Sequence, residues 1–217
     1  MPKGLVKLFS KNKKTSGALV SEQQTRWIFT SMLVGAILSL IASFVLSVEA
    51  IELAKNPDAE LSCSISVVLN CATVAAHPSA ELLGFPYSFL GLMAESVVIT
   101  VAIAGLMGVV FPRKFMFAAQ IGYTLGLLFA AWLFYQSMFV IGALCPWCLL
   151  VTLTTTLVWF AITRYNILAD NLYLPQVWST RLKAWVAKDY DTLLLAIVLV
   201  GALAAIILKY GAALFVF

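Results

Sequence analysis

The sequence predicts an all-α integral membrane protein with five transmembrane helices. Of its 217 residues, 62% are hydrophobic and 11% are charged, and the mean hydropathy is +0.98, far above the range of soluble domains. Because a helix needs about 20 apolar residues to cross the hydrocarbon core, this length accommodates five crossings and excludes a separate globular catalytic domain. The Lys and Arg residues flank apolar runs and form no basic face, which excludes nucleic acid as a partner.

Five uninterrupted apolar stretches mark the predicted spans. The segments outside them are a basic tail at residues 1–26, a loop at 49–84 and a linker at 164–192. The tail has no cleavage site of the kind found in signal peptides, so we expect the first span to be an uncleaved anchor. We also expect the tail to be disordered. The spans run from Trp27 to Val48, Phe85 to Val110, Phe115 to Ile141, Cys145 to Ile162 and Leu193 to Tyr210.

The basic residues predict the orientation of these spans. All of the 14 Lys and Arg residues except Lys55 and Lys209 precede the first span or lie in the connections at 113–114 and 164–188. By the positive-inside rule, the N-terminus is cytoplasmic, whereas the loop 49–84 and the C-terminus lie outside a cell membrane. Within the linker, four apolar residues recur at helical spacing and predict a helix in the cytoplasmic headgroup layer: Trp178, Leu182, Trp185 and Val186.

All four cysteines fall on the predicted outer side. Cys63 and Cys71 lie in the loop 49–84, and Cys145 and Cys148 open the fourth span, which runs inward. Disulfides form and persist outside the cytoplasm. The positions alone therefore allow redox chemistry, two structural disulfides or a zinc site made of four thiolates.

The segment Cys145-Pro146-Trp147-Cys148 favours redox chemistry over a structural role. A disulfide ring of this size constrains the unfolded chain little. At a helix start, the Cys145 sulfur can accept hydrogen bonds from free N–H groups, the positive helix end favours its thiolate, and Pro146 suits the first helical position. Cys148 lies one turn deeper, at the boundary with the hydrocarbon, where a lipid-soluble oxidant such as a quinone can reach it.

These residues resemble the vitamin K epoxide reductase family, specifically its bacterial disulfide-forming members. The resemblance covers roughly residues 27–163 and rests on three features: the Cys63–Cys71 segment CSISVVLNC, the segment GFPYSFLG at 84–91, and CPWC at the start of the fourth span. The spaced cysteine pair precedes the Cys-x-x-Cys pair here. The order is the reverse in quinone-linked disulfide oxidases that resemble DsbB.

The resemblance implies a catalytic four-helix bundle around a quinone at 27–163, with the fifth helix (193–217) alongside it. It also implies that electrons move from a secreted thioredoxin-like, DsbA-type protein to menaquinone or ubiquinone. Many bacterial relatives carry a thioredoxin-like domain after the fifth span, but this sequence ends at Phe217, so we expect a separate partner protein.

The same resemblance assigns roles to individual residues. Cys63 corresponds to the sulfur that exchanges with the partner, Cys71 to the one that passes electrons to Cys145, and Cys148 to the one that faces the quinone. Six residues are predicted to line the quinone pocket: Tyr87, Leu90, Phe134, Met138, Trp147 and Thr152.

Departures from the family pattern bear on the quinone's hydrogen-bond donors. Tyr87 stands where many members have Asn, Thr152 where animal members have Tyr, and His77 where Ser is common. Reduction of vitamin K epoxide is therefore not expected. His77 either stabilises a nearby thiolate or is a solvated loop residue.

Glu95 is the only acidic residue inside a predicted span, and intramembrane carboxyl groups are often functional. It either passes a proton to the quinone or is protonated and bonded to Gln120 or Gln136. The glycines within the spans are predicted to permit close helix packing, namely Gly105, Gly122, Gly126 and Gly201.

The predicted function is that of a quinone-dependent thiol oxidase, with no metal cofactor. Two alternatives stay open on the sequence alone. One is a quinone reductase whose thiol donor is incidental. The other is a non-catalytic membrane scaffold or transporter that holds static disulfides.

Overall fold

The computed structural model describes residues 22–57, 59, 61–80 and 84–211. Expectations for the basic tail before residue 22 lie outside the described residues. The described chain is almost entirely helical, and its only extended pairing is one parallel bridge between Leu69 and Leu144. The helices are α1 (Glu22–Lys55), α2 (Cys71–Ala75), α3 (Ser88–Leu106), α4 (Arg113–Tyr135), α5 (Pro146–Leu168), α6 (Gln176–Val186) and α7 (Tyr190–Tyr210).

Five of these helices are long and apolar enough to cross a membrane: α1, α3, α4 with its continuation, α5 and α7. The continuation of α4 is a π-helical segment, Gln136–Ile141, which ends at Gly142 in a left-handed conformation. The prediction of an all-α, multi-pass membrane protein with five spans is thus confirmed.

The helix bounds differ from the apolar stretches at several ends. α1 extends from Glu22 to Lys55, whereas the apolar stretch ran from Trp27 to Val48. The added residues are mostly Glu, Gln, Ala, Leu and Lys, which favour helix even where they no longer favour hydrocarbon. As a result, Glu49 lies on a helix and not in the loop.

The end of the bundle where α1 begins is closely packed. α1 packs against both α3 and α5, and α4 packs against α5. A Cβ atom at Gly105 of α3 would lie 2.5 Å from the ring of Phe29 of α1, so any larger residue would force the ring or the helices to move. The core at this end contains Ile28, Phe29, Met32, Ala102, Met116, Val158, Ile162 and Tyr165.

α3 and α4 stand apart from each other over most of their described length, although each packs against a neighbour. Gly122 and Gly126 of α4 face this gap, and a Cβ atom on either would meet no atom within 4 Å. The same holds for Gly201 of α7. The prediction of close helix packing is therefore confirmed for Gly105 and wrong for Gly122, Gly126 and Gly201. Gly122 and Gly126 instead leave space in the gap.

α7 lies beside α5, outside the four helices that surround the gap. Arg164 of α5 bonds to Asp189, at 2.7 Å, and to Asp191, at 3.0 Å, and so joins the two helices at one end. The linker forms α6 over Gln176–Val186, which confirms its helical pattern, and Lys183 of α6 pairs with Asp170.

Candidate dithiol active site

The parallel bridge between the loop and the start of α5 brings the two cysteine pairs together. The Asn70 N–H donates to the carbonyl of Leu144 at 2.9 Å, and the Leu144 N–H donates to the carbonyl of Val68 at 2.7 Å. Cys71 directly follows Asn70, and Cys145 directly follows Leu144, the two residues joined by the first of these hydrogen bonds. The bridge therefore fixes these two cysteines side by side.

The loop cysteines form a disulfide, Cys63–Cys71, next to a free thiol. The Cys71 sulfur lies 3.3 Å from the Cys145 sulfur. All three residues are buried, with exposed fractions of 4%, 2% and 1% for Cys63, Cys71 and Cys145. Sulfur atoms in contact, two of them in a disulfide and one a thiol, have the arrangement that thiol–disulfide exchange needs.

Cys145 caps the N-terminus of α5, as the sequence predicted. Its sulfur accepts a hydrogen bond from the Cys148 N–H at 3.2 Å, and Pro146 occupies the first turn. The Cys148 thiol, followed by the N–H groups of Cys148 and Trp147, lowers the pKa of Cys145, although burial and the charge of Glu49 oppose the shift. Cys145 is therefore suited to leave or attack as a thiolate.

A residue that the sequence did not single out, Glu49, lies against the other end of the disulfide. Its Oε2 and Oε1 atoms are 3.2 and 3.4 Å from the Cys63 sulfur, and the Ser62 hydroxyl donates to Oε1 at 2.8 Å. The apolar stretch ends at Val48, so the sequence predicted that Glu49 lies in the loop. An acidic residue directly after an apolar stretch was the available signal.

The four-thiolate zinc alternative does not fit this donor set. Glu49, Cys63 and Cys71 place ligand atoms within 4.8 Å of one another. However, the sulfurs of Cys63 and Cys71 are bonded to each other, and zinc requires free thiolates.

A cavity of about 1090 Å³ extends from the cysteines into the gap between α3 and α4. Its wall includes the sulfur-bearing residues Cys71, Cys145 and Cys148 and is otherwise mostly apolar. Four of the six residues predicted to line a pocket belong to this wall, namely Tyr87, Leu90, Phe134 and Thr152.

The other two predicted pocket residues lie outside the cavity wall. Trp147 packs against the cluster of buried cysteines. Met138 is fully buried in the π-helical segment, where its carbonyl accepts hydrogen bonds from Lys209 and Tyr210 of α7. Thr152 does reach the wall, but its hydroxyl already donates to the carbonyl of Cys148 at 2.9 Å.

Glu95 also lies in the cavity wall, and its partners differ from those expected. It accepts hydrogen bonds from Ser39 of α1, at 3.1 Å, and from Tyr123 of α4, at 3.1 and 3.3 Å. The expected pairing with Gln120 or Gln136 is wrong; Gln120 instead bonds to Thr163 and Asn166 of α5. Tyr123 lies about one helical turn after Gln120 on α4, and it is the side chain of Tyr123 that points towards α3.

Within the described part of the chain, the His77 side chain hydrogen-bonds to Ser79 and to neither cysteine pair. Its Nδ1 lies 2.8 Å from the Ser79 hydroxyl, and the Ser79 N–H also points to Nδ1. His77 also belongs to the wall of the cavity.

The fold and the site together define a multi-pass membrane protein with a disulfide in contact with a Cys-x-x-Cys thiol beside an apolar cavity. A match to the vitamin K epoxide reductase family covers residues 30–163, which is more than half of the chain. The chain therefore belongs to this family, whose members are oxidoreductases with quinone-linked disulfide chemistry. Neither the curated proteins nor the solved structures gave a match.

Proposed function

We propose that this protein is a quinone-dependent thiol oxidase that reoxidises a separate secreted thioredoxin-like protein of DsbA type. The observation that carries the proposal is the 3.3 Å contact between the sulfurs of Cys71 and Cys145. This contact links a disulfide to a free Cys-x-x-Cys pair. Thiol–disulfide exchange requires such a contact, whereas a scaffold with static disulfides does not.

The first half of the reaction takes place at the Cys63–Cys71 disulfide. A partner thiolate attacks the Cys63 sulfur, and the Cys71 thiolate leaves with the electron pair. The second partner thiol then displaces Cys63, so that the partner becomes oxidised and the loop pair reduced. Cys71 next attacks Cys145 of an oxidised Cys145–Cys148 pair, and the Cys148 sulfur leaves. Cys63 then attacks Cys71, so that the Cys63–Cys71 disulfide forms again and the Cys145–Cys148 pair is left reduced.

The second half takes place at the cavity. A membrane quinone, either menaquinone or ubiquinone, supplies an acceptor for two electrons and two protons. The cavity fits such a group because its wall is mostly apolar and includes Cys148 together with Tyr87, Leu90, Phe134 and Thr152. The gap between α3 and α4 offers a route from the lipid. We assign no quinone contact to Met138 or Trp147.

The distribution of charge supports one orientation for this reaction. The turn before α4 and the linker after α5 are basic, whereas the cysteines lie at the opposite ends of α1 and α5. The positive-inside rule therefore favours a cytoplasmic N-terminus and a cysteine site on the outer side of the cell membrane, where a secreted partner can reach it.

The proposal is tested with the purified protein in lipid nanodiscs, a reduced DsbA-type protein and a short-chain quinone. We expect quinol and oxidised partner to form in equal amounts. Cys148→Ala should stop quinol formation but still give a mixed disulfide with the partner at Cys63. Ser96→Ala, on an exposed face of α3, serves as the control and should turn over normally. Unchanged quinol formation in Cys148→Ala would contradict the proposal.

A further inference from the structure

A buried carboxyl group next to a disulfide sulfur is an unusual arrangement. Glu49 has an exposed fraction of 7%, and its Oε2 atom lies 3.2 Å from the Cys63 sulfur. A sulfur in a disulfide carries no proton, so this contact is not a hydrogen bond in the oxidised state. Among the described residues, only the Ser62 hydroxyl donates to this carboxyl group, and burial of a carboxylate with so few donors is costly. The arrangement becomes favourable when Cys63 is a thiol, because the same two atoms are then at the distance of an S–H···O hydrogen bond.

The geometry points to Glu49 as the general base of the thiol relay: it takes the proton from the Cys63 thiol while Cys63 closes the Cys63–Cys71 disulfide. The inference rests on the proposed function, since it concerns one step of that relay. It assigns a catalytic role to a residue that contacts a reacting sulfur directly.

The step follows the attack of Cys71 on Cys145, which leaves a mixed disulfide between these two residues. Cys63 then attacks the Cys71 sulfur. The Cys63–Cys71 bond forms, the Cys71–Cys145 bond breaks, and the electron pair of the broken bond stays on Cys145. The proton of the Cys63 thiol moves to Glu49. Cys63 and Cys71 together lose two electrons, and the Cys145–Cys148 pair holds them, so no further oxidant is needed.

The charges around the step favour this proton transfer. Among the described residues, the titratable groups nearest Glu49 are Cys63 and Cys71, whose sulfurs lie within 4.8 Å of a carboxylate oxygen, and its charge also acts on the thiols of Cys145 and Cys148. The negative charge of Glu49 opposes ionisation of Cys145, whereas hydrogen bonds from Cys148 and Trp147 support it. When Glu49 accepts a proton, its charge disappears as the charge of the Cys145 thiolate appears. The cluster keeps the same net charge throughout, so little charge separation is needed in a buried site.

The test begins with fully reduced protein in nanodiscs and one equivalent of short-chain quinone. Samples are quenched with acid, alkylated and mapped for three disulfides: Cys145–Cys148, Cys71–Cys145 and Cys63–Cys71. In the wild type, we expect the Cys63–Cys71 disulfide to form at a rate that is nearly constant across neutral pH. A base that acts through its own carboxylate gives this plateau.

Glu49→Gln keeps the shape of the side chain and its contact with Ser62 but cannot accept a proton. We expect closure of Cys63–Cys71 to slow by about 100-fold, the low end for loss of a general base. The Cys71–Cys145 mixed disulfide should accumulate, and its decay should accelerate about tenfold per pH unit, because only the solvent-formed thiolate of Cys63 then reacts. Glu52→Gln, an exposed neighbour on α1 with the same charge change, should behave like the wild type.

The same samples distinguish a failure of the role of Glu49 from a failure of the proposed function. Rapid formation of Cys145–Cys148 by quinone in Glu49→Gln establishes that the variant is folded. Normal closure with a flat pH profile in this variant overturns the role of Glu49 and leaves the proposed function intact. If Glu49→Gln does not fold, the wild-type profile decides: closure that rises about tenfold per pH unit overturns the inference, and a plateau supports it. A wild type that never closes Cys63–Cys71 refutes the proposed function itself.

Discussion

At the end of the bundle where α1 begins, Phe29, Met32 and Val158 are fully buried, and Gly105 lets α1 and α3 approach closely. At the opposite end, α3 and α4 separate around a cavity of about 1090 Å³, whose wall carries the cysteines. The closely packed end supplies the stability that the open end lacks. The open end therefore has space for a substrate and for sulfur atoms that exchange bonds.

Polar groups at the two ends differ in the same way. At the closely packed end, Asn166 donates to the carbonyl of Met116 and to Gln120, and accepts a hydrogen bond from Asn171. These bonds join α4 to α5 and satisfy the buried amides. At the open end, Glu49 and the sulfur of Cys145 face atoms whose bonding changes during the proposed reaction. Substitutions at the closely packed end should therefore lower mainly the stability, and substitutions at the open end should lower mainly the activity.

The largest effect is expected for Cys145→Ser at the open end. Serine can still accept the hydrogen bond that caps α5, but it cannot form a disulfide with Cys71 or Cys148. Quinol formation from a reduced partner should cease, while the free energy of unfolding in SDS titrations should stay within about 1 kcal/mol of the wild type. Residual turnover would mean that electrons reach the cavity without Cys145.

Phe29→Ala should have the opposite pattern. The Phe29 ring packs 5.0 Å from that of Tyr165 and contacts Gly105, so its removal leaves a cavity in the closely packed end. The free energy of unfolding should fall by about 3–5 kcal/mol, and turnover of the molecules that stay folded should persist. Phe129→Ala, in the half-buried wall of the open end, is the matched control and should cost less. Equal losses for the two variants would remove the distinction between the ends.

A smaller effect is expected from the matched pair Gly105→Ala and Gly126→Ala. The added methyl group at 105 would lie 2.5 Å from the Phe29 ring, and accommodating it should cost about 1–3 kcal/mol. The same group at 126 meets no atom within 4 Å, so the free energy of unfolding should barely change. The measurement is again SDS-induced unfolding, in parallel with quinol formation. A large loss of stability for Gly126→Ala would contradict the open gap between α3 and α4.

The sequence predicted the five spans because hydropathy is a property of each segment by itself. The capping of α5 by Cys145 was also predictable, since it depends on Pro146 and on neighbours within one helical turn. Membership of the cavity wall was predicted for Tyr87, Leu90, Phe134 and Thr152, through the family resemblance and not through the chemistry of the residues.

The contacts between segments were not predictable in the same way. The bridge between Leu69 and Leu144 joins residues far apart in sequence and has no local signal. Glu49 was missed because the apolar pattern ends before the helix does. For Glu95 and Gly126, the sequence indicated the depth in the membrane but not the rotation of the helix. When a helix is apolar on all sides, its sequence does not indicate which face packs against a neighbouring helix and which face lines a cavity.

The smallest effect is expected for Glu95→Gln, in the wall where the two ends meet. The amide oxygen of Gln can accept the hydrogen bonds from Ser39 and Tyr123 that join α1, α3 and α4. The free energy of unfolding should therefore change by less than about 0.5 kcal/mol. Glu95→Leu, which leaves both hydroxyl groups without this acceptor, should cost about 1–3 kcal/mol. Because the role of Glu95 is then to join helices and not to carry protons, quinol formation in Glu95→Gln should keep the wild-type rate and pH profile. Slower quinol formation with normal closure of Cys63–Cys71 would instead make Glu95 a proton donor to the cavity, and the open end would contain two carboxyl groups that act in succession.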